Sequence, residues 1–99
     1  MRTEVEELAA LGIFPSENKP NLDHIKRIEN LLSAILPPVS DQEAVELVKL
    51  FGKDSCFGLA WTLLHLIETA PSWPIKECLP YNTNNEWVML LRMRAKISQ

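Results

Sequence analysis

This 99-residue chain has little of what small proteins use as staples or catalytic hardware. It holds two cysteines, Cys56 and Cys78, 22 positions apart and outside any Cys-x-x-Cys pattern. A zinc site normally needs three or four ligands, and small secreted domains usually carry more cysteines. The expectation is therefore two free, buried thiols in a reducing cytoplasm. Period-two runs of β-branched residues are missing, as are Asn-Gly and Asp-Gly turns, so no strand is predicted. Gly-x-Ser-x-Gly elbows, phosphate loops and His-Glu-x-x-His motifs are also missing. The opening M-R-T-E-V-E-E-L is acidic and has no apolar signal core, which leads us to expect a cytosolic chain without a secretory signal. Positive charge is in short supply too. Ten basic against 13 acidic side chains leave a net charge of −3, poorly suited to displacing counterions from nucleic acid.

What remains is the composition of an ordinary globular domain, 46% hydrophobic and 23% charged. A chain of this length buries roughly two thirds of its unfolded surface and folds as one domain, residues 1–99.

Helix signals are frequent. Thr3 with Glu6, Ser40 with Glu43, and Thr83 with Glu86 each form S/T-x-x-E, in which a hydroxyl and a carboxylate cap each other's orphan N–H groups. Val5, Leu8 and Ala9 follow the first, in a short helix that Gly12 and Pro15 end. Asn21 caps a second helix whose stripe is Leu22, Ile25, Ile28, Leu32 and Ile35, with Leu31 and Leu36 at its edges. Pro37 and Pro38 stop it. Ser40 opens a third, with Ala44, Leu47, Val48 and Phe51 inward, ending at Gly52. Asp54 or Ser55 caps a fourth that runs to Pro71, residues 72–79 form a short turn of helix, and a last helix covers about Asn84 to Ile97. The expected fold is all-α, a compact bundle or short two-layer stack of five to six helices, four of them main ones. Neighbouring helices on short loops, the second with the third and the fourth with the last, are expected to pair.

The fourth helix, C-F-G-L-A-W-T-L-L-H-L-I-E-T-A-P, is the most distinctive stretch. Fifteen or sixteen residues span roughly 23 Å, short of a ~30 Å hydrocarbon core, and two polar residues interrupt it, so it is not a membrane span. At 100° per residue, Leu59, Ala60, Leu63, Leu64, Leu66, Ile67 and Ala70 cover half the circumference. The other side gathers Thr62, His65 and Thr69, with Glu68 beside Phe57 and Trp61.

This stripe has three readings. In the first it is structural: Glu68 pairs with His65 or with an arginine, Arg94 being the candidate, and the threonines bond back to their own helix. In the second it is an interaction surface, because Trp and His beside a carboxylate supply contact area with a polar handle. Trp73, Tyr81 and Trp87 add to the aromatic supply, Trp87 being read as core. In the third it is a catalytic or metal site, since His-x-x-Glu places two ligand types on one helical face. Di-iron bundles use Glu-x-x-His twice with further carboxylates, and His24 is the only other histidine here.

D-S-C-F-G-L-A-W-T-L-L-H-L-I-E-T-A-P-S-W-P, with the preceding S-D-Q-E-A-V-E-L-V-K-L-F-G and the closing N-N-E-W-V-M-L-L-R-M-R-A, resembles small all-helical bacterial proteins of uncharacterised role. Comparable proteins occur among the immunity proteins of polymorphic-toxin systems. The likeness covers about half the chain and is one of pattern, with no functional motif to carry over. It implies a cytosolic protein that neutralises a toxin by binding it; the residue reading, small, acidic, helical, aromatic-rich and without catalytic motifs, is compatible, and no cofactor or metal is expected. The leading expectation is accordingly a non-enzymatic protein-binding domain that uses Phe57, Trp61, His65, Glu68 and Trp73, with a homodimer also compatible. The alternatives are a small enzyme or metal-binding bundle centred on His65 and Glu68, or a structural subunit of a larger assembly.

Overall fold

A computed structural model describes residues 1–80 and 82–95. It contains five α-helices and one 3₁₀ turn, with no strand among the described residues. They are α1 (Thr3–Leu11), α2 (Leu22–Ala34), α3 (Asp41–Val48), α4 (Leu59–Ile67), the turn Lys76–Cys78, and α5 (Glu86–Ala95). None of these helices is long and apolar enough to cross a membrane.

Helix α4 is central because its apolar arc is wide enough to serve several neighbours. It packs on α2, α3 and α5, while α1 packs on α2 and α3. All seven residues of its expected core face are buried, Leu63, Leu64 and Ile67 completely. Each leucine truncated to alanine there should cost about 2–5 kcal/mol. Val5 and Leu8 of α1, Ala44, Leu47 and Val48 of α3 with Phe51 beyond it, and Trp87, Val88 and Leu91 of α5 join the same cluster. Of the two expected helix pairs, α4 meets α5, but α2 and α3 are not main partners. The most extensive contacts join α1 to α2 and α3 to α4, because the extended segment after Ala34 carries the chain away from α2.

The capping signals separate into those the tertiary structure used and those it replaced. Ser40 and Glu43 form the complete reciprocal box, and Asn21 accepts from the His24 N–H as expected. Thr3 does not cap. It lies inside α1, Arg2 occupies the cap position, and the Arg2 carbonyl accepts from the Glu6 N–H. At α5 the cap moves two residues beyond Thr83. Asn85 Oδ1 accepts from the Trp87 and Val88 N–H groups, while Thr83 Oγ1 accepts from the Asn85 N–H. The asparagine wins because its amide also donates to the Phe51 and Gly52 carbonyls, fastening α5 to the segment that follows α3. The expected extension of this helix to Ile97 lies outside the described residues, as does Tyr81.

Leu22 of the expected α2 stripe and Leu36 at its edge are exposed, Leu22 at the first turn of α2 and Leu36 in the extended segment beyond its end at Ala34. Conversely, Glu43 is buried. Arg2 answers it with Nε and Nη2, and with its backbone N–H, while the Ser40 N–H supplies a fourth bond. The same guanidinium donates to the Leu36 and Pro38 carbonyls, so one side chain ties the start of α1 to the loop that leads into α3. Burial pushes the Glu43 carboxyl up, but the Arg2 hydrogen bond, the two backbone N–H groups and the Arg2 charge outweigh it and hold the pKa down to about 2.

Cys56 and Cys78 are free and buried, as expected. Burial pushes the Cys78 thiol up to about 11, with Glu77 and Asp41 adding to the effect, and Cys56 is raised for the same main reason. Both are thus poor nucleophiles in the folded chain.

Candidate functional site

The expected fourth helix starts later than its apolar run suggested. Cys56, Phe57 and Gly58 all have positive φ, at 48°, 55° and 90°, and form a left-handed turn before Leu59. Asp54 does not cap the helix; its Oδ1 accepts from the Cys56 N–H inside that turn. The helix proper is then nine residues long, and Glu68 sits at its C-terminal cap. This moves Phe57 off the helix and leaves it 56% exposed.

Trp61, His65 and Glu68 remain on one side of α4, but they do not share one environment. Trp61 is 45% exposed, and its ring stands edge-on against the buried Trp87 ring of α5, with centroids 4.9 Å apart at 88°. Trp87 in turn lies nearly parallel to Phe51, 5.9 Å away, and its indole N–H donates to the Asp54 carbonyl. Such edge-on and offset contacts are favourable geometries for aromatic rings. The result is a column, Phe51 to Trp87 to Trp61, whose lower rings are core and whose last ring emerges into solvent.

Glu68 faces α5. Arg94 Nε and Nη2 donate to its two oxygens at 2.6 and 2.9 Å, the pairing expected from their faces. That bond, followed by the Glu68 charge, raises the Arg94 pKa further. His65 points outward with its side chain 64% exposed, and its Nδ1 is 3.8 Å from Glu68 Oε1, too far for a hydrogen bond. Its ring centroid lies 6.4 Å from that of Trp61. The stripe is thus sealed along α5 by Glu68 and Arg94, and open on its outer side at Trp61 and His65. Thr69 follows the expected back-bond, donating to the Leu66 carbonyl, and it also accepts from the Val39 N–H.

Trp73 does not join this group. It lies beyond the end of α4, half-buried and packed on the core, and has no ring contact with Trp61 or Phe57. The helix ends at Ile67, short of the expected Pro71, and the chain turns at Thr69 to Ala70, so Trp73, expected in the segment after the helix as part of the same surface, packs on the core instead. Two open clefts lie elsewhere, one between Asp41 and Glu77, the other around Ile13, Gly52 and Asn84. Phe57, Trp61 and His65 line neither; all three are exposed, and the His65 ring neighbours that of Trp61.

Two further carboxylates matter, and only long-range structure reveals them. Asp54 Oδ2 accepts from Ser16 Oγ and the Glu17 N–H, and Glu17 Oε2 accepts from Ser55 Oγ and the Phe57 N–H. These bonds clamp the loop after α1 to the turn before α4. Among the described residues there is no group of three or more His, Cys, Asp or Glu side chains placed to hold a metal ion. Glu68, the carboxylate of the expected His65–Glu68 site, has both oxygens engaged by Arg94.

No family model, curated protein or solved structure matches this chain.

Proposed function

We propose that the chain is a non-enzymatic protein-binding domain, and that Phe57, Trp61 and His65 form its contact ridge, bordered by the Glu68–Arg94 pair. One observation carries this reading: Trp61 is nearly half exposed while its ring packs in a T-shaped contact against the buried Trp87. A tryptophan fixed from below loses little freedom on binding, which is the make-up of an interface hot spot. A ridge, unlike a pocket, suits a partner with an apolar cleft rather than a small molecule.

The resemblance to immunity proteins supplies the partner class, a bacterial toxin met in the cytoplasm. The net charge of −3 adds modest steering toward a basic surface.

A photo-reactive amino acid at position 62, beside Trp61, identifies the partner in the protein's own cell, and the purified pair is then titrated. Trp61→Ala should weaken that binding by roughly 100-fold with the fold intact. Leu22→Ala, an exposed leucine at the far end of α2, should leave it unchanged. Co-expression should protect cells from the toxin, and Trp61→Ala should abolish protection. Full-strength binding by Trp61→Ala would end the proposal; self-association through the ridge would replace the toxin with a second copy of the chain.

A further inference from the structure

Helices α4 and α5 run parallel and in register. Trp61, near the start of α4, meets Trp87 near the start of α5, and Glu68, at the end of α4, meets Arg94 near the end of α5. Trp61 to Glu68 and Trp87 to Arg94 are the same step along the chain, about two turns of helix, so the two contacts fall on one side of each helix.

The rest of the molecule holds these helices differently. α4 packs on α2 and α3 as well as on α5, whereas the main helical neighbour of α5 is α4. Polar ties hold the ends of α5. Asn85 donates to the Phe51 and Gly52 carbonyls and the Trp87 indole N–H to the Asp54 carbonyl, while at the far end Arg94, its side chain 43% exposed, donates to Glu68. When α5 leaves, α4 keeps its other two helical neighbours. Segments with few neighbours and solvent-facing ties form the low-stability end of a fold.

Trp61 and Glu68 belong to α4, yet what fixes them belongs to α5. With α5 away, Trp61 loses the Trp87 ring it packs against, and Glu68 loses both bonds to the Arg94 guanidinium.

We propose that α5 is a latch: it undocks from α4 as a unit while α1 to α4 stay folded, and the partner binds only the docked form. Recognition and docking are then linked, so a partner that grips Trp61 closes the latch, and whatever loosens α5 weakens recognition. This rests on Trp61 lying in the binding surface.

The test is amide hydrogen exchange of the full chain, read at Leu91 in α5 and at Leu64 in α4, both completely buried. In the free chain Leu91 should exchange at least tenfold faster than Leu64, relative to their intrinsic rates. Ile28→Val, a mild truncation in the buried face of α2, should speed Leu64 about fivefold and leave Leu91 unchanged, because the latch opens without disturbing α2. Equal rates in the free chain, or equal acceleration of both amides by Ile28→Val, would make α5 part of one cooperative unit and overturn the latch. The recognition half is read by adding the purified partner, the protein cross-linked at position 62, at about 100 times its Kd. Leu91 should then slow about 100-fold, as any opening that abolishes binding must. An unchanged rate at Leu91 would mean that the undocked form binds equally well, and would overturn the linkage. The partner-free results judge the latch by themselves, whereas failure of the binding reading shows separately as full-strength binding by Trp61→Ala.

Discussion

Two arginine–glutamate pairs in this molecule use the same chemistry for opposite ends. Arg2 and Glu43 meet where α1 starts beside α3, with the Glu43 side chain 4% exposed. Arg94 and Glu68 meet where α5 lies along α4, with their side chains 43% and 19% exposed. Both pairs are two-pronged. The first has every acceptor answered from three directions and closes a corner of the core. The second lies at the border of an open ridge, where water competes with it. Burial, more than geometry, decides what such a pair contributes, because desolvation makes the loss of one partner severe and solvent makes it mild.

The largest effect should come from breaking the buried pair. Glu43→Ala removes the capping box and leaves Arg2 without its carboxylate, and denaturant unfolding should show a loss of about 3 kcal/mol. A loss below about 1 kcal/mol would put the two pairs on the same footing.

Acid should distinguish them next. The folded-state pKa of Glu43 is depressed to about 2 from an ordinary value of 4.5, so its contribution is complete above about pH 4.5 and is lost as pH falls toward 2. Thermal midpoints measured across that window should fall steeply for the native protein and less steeply for Glu43→Gln. Equal slopes would assign the acid sensitivity to other carboxylates.

Arg94→Ala should cost far less than Glu43→Ala, since Glu68 can turn to water, and the cost should shrink further in 1 M salt. A loss as large as that of Glu43→Ala would make the α4–α5 border part of the core. His65→Ala should move the denaturation midpoint least of all, as the ring is mostly in solvent and makes no hydrogen bond to Glu68.

The same contrast explains which features were legible in the sequence. Periodicity located the core face of α4 residue by residue, because a wide apolar arc has one way to be buried. It also placed Arg94 opposite Glu68, since both lie on faces that adjoin apolar stripes. It did not reveal that Arg2 reaches Glu43 across 41 positions, because an S-x-x-E box looks the same whether its glutamate is buried or exposed. The left-handed turn was hidden for a related reason. In C-F-G-L-A-W the apolar run continues through the break, and only Gly58 marks it. The residue that holds the turn, Glu17, lies 40 positions from Phe57. Trp73 was counted with the surface because the loop-rich segment after Pro71 looked free to present it, whereas it packs partly buried on the core.

The central claim is that Trp61 is exposed for a partner rather than buried for the fold. Its most direct test is the affinity of the purified protein for the partner cross-linked at position 62, compared between the native chain and Trp61→Ala. The account predicts a loss of roughly 100-fold with circular dichroism and Tm close to native. Native affinity in Trp61→Ala, or a collapse of the fold with it, would contradict the account.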